Sequence, residues 1–386
     1  MTDLERILPL WRALEAAGAD YVLATIVAVD GPSYRKPGAR MLIAQDGRRA
    51  GTVSGGCLEA EVAQRAWWHT ASGPVVERYS TVADDGDMPY GSGCGGVVYI
   101  LLERRQTALP LLLALEAAFH ARTSLAIGTI LEGPQIARRV FANLSQPAEQ
   151  TSQPSARPAA DPYAPLHELA ERALQYRTCI ESIAPIAGAQ TRIWADYRPA
   201  RPGLWIFGAG DDAKPLLHLA RELGWFVAIA DGRSHLATRK RFTQADEVHV
   251  LPISALPAAA PAHFRPLASD AAIVMSHSFE QDSRILASLL ALDFPLSYLG
   301  VLGPQRRTRE LLAEAARLLG LPDTPQRVER WLEQMHAPTG IDLGAETPAA
   351  VALSILAEVQ QTLTAASALP LRQVRAVLPA PTGTAK

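Results

Sequence analysis

Apolar positions recur every third or fourth residue over residues 3–18, which predicts an amphipathic helix at the start of the chain. The β-branched run "YVLATIVAVDG" then predicts a strand. "ARMLIA", an Asp-Gly turn and a further strand predict a hairpin. In "CLEAEVAQRAWWHTA", Leu58, Val62 and Ala66 stand four apart and mark the buried face of a second helix. Strands are expected at "PVVERYST", "GVVYILLER" and residues 124–131, with a helix over 109–121. From residue 203 the rhythm changes to short apolar strands alternating with helices: "GLWIF", "WFVAIAD", "ADEVHVLP", "AAIVMSH" and "LSYLGVLG". That alternation predicts a parallel sheet with crossover helices. A last helix begins at "ETPAAVALSILAEVQQTL", with Thr347 as N-cap, Pro348 in its first turn, and Ala349, Leu353, Leu356 and Leu363 as its buried face.

The fold class predicted is α/β, with two domains over residues 1–200 and 201–386. Residues 145–165, rich in Pro, Ser, Gln and Ala without apolar periodicity, predict an exposed segment in or after the first domain. With 386 residues, 48% hydrophobic, the chain has material for two cores. A net charge of -2 gives no basic face for nucleic acid. The opening helix carries acids early and lacks the layout of a signal peptide, and apolar runs are too short to span a bilayer, so a cytoplasmic protein without a membrane partner is expected.

The three cysteines form no CxxC and no disulfide framework. Cys57 follows Gly55 and Gly56 in "SGGC" at a helix start, where the dipole can lower a thiol pKa while Glu59 and Glu61 oppose a thiolate. Cys94 lies in "GSGCGG", and Cys179 falls in a helical run that reads as structural. Packing in a core is the competing account of Cys57. "GPSYRKPGAR" sets Arg35, Lys36 and Arg40 among Gly and Pro, a rigid cationic loop suited to a phosphate or other anion. "GPQRRTREL" is a second basic loop. "GAGDDA" places Gly208 and Gly210 between a strand and a helix, and Asp231 ends the next strand 21 residues after Gly210. That is the layout of a Rossmann-type nucleotide site, although Asp211 and Asp212 put negative charge where phosphates would sit. His277 and His336 are acid–base candidates, with a structural role as the alternative for each. No metal-ligand spacing is present, and no protein-held metal is expected.

"GPSYRKPGARMLI", "GTVSGGCLEAEV", "GSGCGG", "LWIFGAGDDA", "AIADGR", "YLGVLGPQRR" and "HAPTGIDLGAETPAAVALSILAEV" together resemble the XdhC/CoxI family of molybdenum-enzyme maturation factors, in the family's order from residue 31 to 359. The resemblance implies an N-terminal domain bearing the cysteine motifs and a C-terminal Rossmann-type domain. It implies a chaperone, not counted as an enzyme, that holds molybdenum cofactor (molybdopterin) and protects it during sulfuration beside a cysteine desulfurase. The cofactor then passes to a xanthine dehydrogenase-type molybdenum hydroxylase client. Arg35, Arg40, Gly55, Gly56, Cys57 and Cys94 become candidate cofactor contacts, and Gly208, Gly210 and Asp231 a candidate nucleotide site. A homodimer is a further expectation. Two other readings stand beside this one: an NAD(P)-dependent oxidoreductase built on residues 203–302, and a sulfurtransferase with a persulfide on Cys57 or Cys94.

Overall fold

The computed structural model describes residues 2–56, 58–80, 96–143, 161–258 and 260–374. The chain divides into two compact units, Met1–Arg201 and Pro202–Lys386.

The first unit opens with α1 (Asp3–Ala16), fixed by a capping box between Thr2 and Glu5. Then come β1 (Tyr21–Asp30), β2 (Arg40–Ala44), β3 (Arg49–Gly51), α2 (Glu59–His69), β4 (Val75–Ser80), β5 (Val97–Arg104) and α3 (Arg105–Ala121). The five strands form an antiparallel sheet in the order β3-β2-β1-β5-β4. Every residue of β1 from Tyr21 to Ala28 is buried, because both faces of the sheet are covered. Leu23 and Leu42 pack with Ile7, Trp11, Leu111 and Leu115 on one face, and Val22, Ala24, Met41 and Ile43 pack with Leu58, Val62 and Ala66 on the other. The spacing of four in α2 thus marks the face it buries.

The strand over 124–131 does not close this sheet. It is β6 (Leu125–Ile130), part of a separate antiparallel sheet in the order β7-β6-β9-β8, with β7 (Arg139–Asn143), β8 (Ile180–Ile186) and β9 (Ala189–Arg198). Helix α4 (Ala164–Tyr176) covers it through Leu166, Leu169 and Ala173. Cys179 lies beyond this helix rather than in it. Arg177 ends α4 in the left-handed conformation, and the chain then enters β8. Most of the 145–165 segment lies outside the described residues.

The second unit runs β10 (Gly203–Phe207), α5 (Ala213–Glu222), β11 (Phe226–Asp231), β12 (Glu247–Val250), α6 (Ala260–His263), β13 (Ala271–Val274), α7 (Phe279–Leu290), β14 (Tyr298–Val301), α8 (Gln305–Leu318), α9 (Pro325–Glu333), α10 (Pro348–Thr364) and α11 (Leu371–Val374). Its strands are all parallel, in the order β12-β11-β10-β13-β14. Leu204, Ile206, Val227, Ile229 and Ile273 face one core beneath α5 and α10. Trp205, Phe207, Ala228, Ala272 and Val274 face the other, beneath α7 and α8. Burial on both faces is why these strands read as unbroken apolar runs.

Thr347 caps α10 by accepting the Ala350 N–H (3.2 Å). The buried face of α10 differs from the expected one. Ala352, Ile355, Leu356 and Val359 are buried, whereas Ala349 is exposed and Leu353 is 53% exposed. Only Leu356 of the four expected residues is fully buried, since the helix is rotated to pack Ala352 and Ile355 into the core beside α5.

Candidate functional site

In the first unit the loop between β1 and β2, residues 31–39, gathers the ends of both glycine stretches. A Cβ at Gly96 would stand 2.1 Å from the Pro32 carbonyl oxygen and 3.0 Å from that of Asp30. Only glycine at position 96 lets the chain pass so close to this loop. At Gly55, a Cβ would meet the ring of Tyr34 at 3.7 Å. The basic loop, the approach to "SGGC" and the exit of "GSGCGG" therefore share one region. Cys57 and Cys94 themselves lie outside the described residues. Gly96→Ala is expected to destabilise the first unit by roughly 1–3 kcal/mol, the usual cost of forcing atoms into a filled space. Thermal unfolding of the variant beside wild type measures it, and an unchanged midpoint would show that the two loops separate freely.

Glu59, the first residue of α2, fastens the turn before Cys57. Its carboxylate accepts from the Thr52 hydroxyl (2.7 Å), the Ser54 N–H (2.8 Å) and the Val53 N–H (3.2 Å), and also from the Ser54 hydroxyl. The Ser54 oxygen accepts in turn from the Gly56 and Leu58 N–H groups, each at 3.1 Å. Partial burial pushes the Glu59 pKa up, but the bonds from Ser54 and Thr52 outweigh it and leave the pKa below its ordinary value. A depressed carboxyl pKa stabilises the fold above the unfolded-state value, ~4.3, and that contribution is lost as pH falls through the folded value. Hydrogen exchange is accordingly expected to show amide protection at Ser54 and Leu58 falling away below about pH 4. Glu59→Gln should show the weaker protection at every pH.

The three cations of the basic loop are placed differently. Arg35 pairs with Asp3 at the start of α1. Lys36 is exposed and, among the described residues, has no partner. Arg40 is not on the loop's open face. It is buried in β2, donating to the Gly38 carbonyl (3.0 Å) and to the fully buried Asp196 of β9 (2.5 Å). Arg198 also donates to Asp196 (2.6 Å), and the two arginines hold that carboxyl below the usual range although burial pushes it up. Asp196 thus anchors the base of the loop. The Cys179 thiol donates to the same carboxylate (3.6 Å), and its partial burial and then the Asp196 charge hold its pKa above the ordinary value. A thiol kept protonated in this way is a poor nucleophile.

In the second unit the "GAG" turn follows β10. Gly208 has φ +144°, and a Cβ there would lie 2.6 Å from the Met275 carbonyl oxygen of the neighbouring strand's exit. Asp231 is fully buried at the end of β11. Its oxygens accept from the Ala209 N–H (2.7 Å), the Arg233 N–H (2.8 Å) and the Arg233 guanidinium (2.7 and 2.9 Å). In this arrangement the carboxylate locks the glycine turn instead of standing open for a ribose. Gly210 is close to Asp212, whose Oδ1 would lie 2.3 Å from an added Cβ. Asp211 pairs with Lys214 (2.8 Å) and Arg241 (3.0 Å). His277, after β13, takes the left-handed conformation (φ 63°), and its Nε2 lies 2.7 Å from Asp212 Oδ2.

The other two sequence candidates are built into the framework. Arg307 of "GPQRR" pairs with the buried Asp282 (2.7 Å), which also accepts from the Ser276 hydroxyl (2.6 Å). His336 stacks on Tyr298 at 4.1 Å between ring centres, with its Nδ1 3.0 Å from Glu358. Glu358 also accepts from the Tyr298 hydroxyl and the Gly340 N–H, each at 2.6 Å, so "HAPTG" is tied to α10.

Two family descriptions match this chain: the XdhC and CoxI family over residues 14–80 and the XdhC Rossmann domain over residues 204–359. A protein of Bacillus subtilis (strain 168) described as a probable xanthine dehydrogenase subunit is 30% identical over 347 residues, 88% of this chain and 92% of that protein. The chain belongs to the XdhC/CoxI family. The molybdenum cofactor insertion chaperone PaoD of Escherichia coli (strain K12) is 36% identical over 126 residues, 30% of this chain and 36% of PaoD. The crystal structure of a protein described as a xanthine dehydrogenase from Bacillus halodurans superposes with a TM-score of 0.65 at 25% identity, over 97% of this chain and 100% of that one.

Within this XdhC/CoxI frame, sequence reasoning missed Tyr34, Glu59 as a fastener, and Asp196. Tyr34 carried a signal, an aromatic residue inside a Gly/Pro-rich loop, and is 72% exposed. Asp196 carried none, because its partner Arg40 lies 156 residues away. Among the described residues no group of three or more His, Cys, Asp or Glu side chains is placed to hold a metal ion, and no helix is long and apolar enough to cross a membrane.

Proposed function

We propose that this XdhC/CoxI protein is a molybdenum cofactor chaperone: it holds the cofactor as cargo on the loops of its first unit and passes it to a xanthine dehydrogenase-type hydroxylase. The observation that carries the reading is the meeting of residues 31–39 with both glycine stretches, through Pro32 against Gly96 and Tyr34 against Gly55. The family and the likeness to PaoD support the same cargo. Gly55 leaves the backbone accessible to a bulky ligand, while Gly56 takes φ +116° with its N–H already held by Ser54. Lys36, with Arg35 released from Asp3, supplies charge for the cofactor's phosphate. Cys57 and Cys94 supply soft sulfur for the molybdenum end. A cysteine desulfurase as sulfur donor, cytoplasmic location and a homodimer belong to the same proposal.

The geometry of the second unit favours this reading over a dinucleotide-dependent oxidoreductase. Asp231 is already saturated by Arg233 and the Ala209 N–H, and Asp211 and Asp212 line the turn. The test is co-expression of an apo-hydroxylase client of this class with and without the chain, in cells that make the cofactor. The expected result is an active client only when the chain is present; equal activity without it would overturn the delivery role. Replacing Arg35 or Lys36 by Ala should weaken cofactor retention by roughly 1.5–3 kcal/mol each, the range for charge-assisted bonds. Retained pterin, measured at several salt concentrations, reads this out, and wild-type retention throughout would make the loop a solvated turn.

A further inference from the structure

Arg35, the buried-edge cation of the 31–39 loop, is already paired inside the chain. It meets Asp3, and the two side chains are 29% and 19% exposed, so salt screens the pair less than it would an open surface pair. Asp3 comes from a fixed place. It stands in the first turn of α1, a helix anchored by Ile7 and Trp11, both buried against the sheet. Its carboxylate is not needed to cap that helix, because Thr2 and Glu5 form the capping box between themselves. It is turned instead to the loop.

The pair is also incomplete. Asp3 takes a hydrogen from Nη2 of Arg35, while the Nε–H of the same guanidinium is buried and has no acceptor among the described residues. A guanidinium presents Nε–H and Nη–H side by side, a spacing that an oxyanion meets with two oxygens at once. Asp3, held on its helix, meets only one. A phosphate is free to orient and can satisfy both, and the exposed, unpartnered Lys36 adds a second positive charge beside it. The exchange needs no rebuilding of the loop. The Arg35 carbonyl accepts from the Ser33 hydroxyl (2.9 Å), the Gly38 N–H donates to the Ile26 carbonyl (2.7 Å), and the Ala39 N–H donates to that of Lys36 (3.1 Å). The backbone on both sides is thus fixed, and rotation of the Arg35 side chain alone moves its charge from Asp3 to a ligand.

We infer that Asp3 is a built-in competitor for the cargo's phosphate at Arg35, which rests on the proposed cargo of the first unit. Asp3 holds Arg35 while the site is empty, yields it when the phosphate arrives, and takes it back when the cargo leaves. Recapture spares the empty site an uncompensated guanidinium. The carboxylate therefore lowers the affinity for the cargo and speeds its handover.

The competition is tested first without the cofactor. Phenylglyoxal, which modifies unprotected guanidinium groups, is applied to the full chain at rising inorganic phosphate, and modification of Arg35 is followed by peptide mass spectrometry. Arg35 should react faster in Asp3→Asn than in wild type. Phosphate should protect it there at a concentration roughly two- to fivefold lower, the range for a partly exposed ion pair. Equal reactivity of Arg35 in the two proteins, or protection at equal phosphate, would overturn the inference. The second readout is the time course of pterin release from the loaded chain. Asp3→Asn should release about two- to fivefold more slowly, and the difference should vanish in an Arg35→Ala background, because Asp3 acts through Arg35. Unchanged or faster release from Asp3→Asn would make Asp3 a strut for the loop. The same slowing in Arg35→Ala would make it a general repulsion of anions. Either result would overturn the inference with the proposed function intact. A wild-type chain that carries no cofactor would overturn the proposed function, while the phosphate titration still decides the competition for Arg35.

Discussion

Replacing Asp196 by Ala is expected to destabilise the first unit by about 3–5 kcal/mol, the cost of leaving a buried charge uncompensated. Asp196 is fully buried, and the side chain of Arg40 facing it is 6% exposed. Removing the carboxylate strands that guanidinium in a low-dielectric core and frees Arg198 from its partner. For a unit of this size the loss corresponds to a fall of roughly 6–20 °C in the thermal midpoint. Arg40→Met in the Asp196→Ala background should recover part of the loss, since it removes the stranded charge. The pH dependence follows from the depressed Asp196 pKa. A depressed carboxyl contributes its stability above about pH 4 and loses it as pH falls through the folded value. Acid unfolding of wild type should therefore be steeper than that of Asp196→Ala. Calorimetry across pH 3–7, a range set by ordinary carboxyl pKa values of about 4, provides the check. A midpoint within a degree or two of wild type would show that the pair is not what anchors the loop base. Because Asp196 holds Arg40 at the exit of the 31–39 loop, the same variant should also hold its cargo less well.

Cys57→Ser is the second large effect, on function rather than stability. Serine keeps the size of the side chain and loses the soft, ionisable sulfur. The flanking chain is fastened without the thiol: Glu59 and the Ser54 hydroxyl hold Thr52, Ser54, Gly56 and Leu58 by hydrogen bonds. The variant should therefore fold normally. Helix α2 begins two residues later with no side chain capping it, so its positive end favours a nearby thiolate, against the opposing charges of Glu59 and Glu61 in its first turn. Thiolate is the form that meets a soft metal or accepts sulfur. The expected outcome is loss of molybdenum-loaded cofactor, measured by metal analysis and pterin fluorescence, together with an inactive client hydroxylase. Cys179→Ser should change neither, since that thiol is held protonated against Asp196. Wild-type loading of Cys57→Ser would transfer the role to the backbone at Gly55, since the Gly56 and Leu58 amides are held by Ser54.

The second unit was legible in the sequence because its strands are buried on both faces and its helices are bounded by glycine and proline. Gly224 follows α5, and Pro348 opens α10 behind the Thr347 cap. The second sheet of the first unit was not legible. In β8, Ile183 is 71% exposed and Pro185 lies within the strand, so neither burial nor composition marks it. The face of α10 was misread because Leu353 looks like core but points outward, while the small Ala352 packs inward. In the candidate site, the glycine and cysteine stretches were visible as compositional oddities, and their meeting was not. That meeting depends on pairing β1 with both β2 and β5, which brings residues near 31 and 96 together. The fate of the arginines was equally hidden. Nothing local distinguishes Arg40, which is buried on a distant aspartate, from its exposed neighbour Lys36.

Carriage of molybdenum cofactor by this chain can be read from what the purified protein holds. The most direct measurement is the pterin and molybdenum content of the full chain purified from cells able to make the cofactor, determined per protein molecule after oxidation to a fluorescent pterin. A cofactor carrier should hold both in equal amounts in the wild-type protein and lose both together in Cys57→Ser. Pterin and molybdenum no higher than in an unrelated protein purified from the same cells would contradict it.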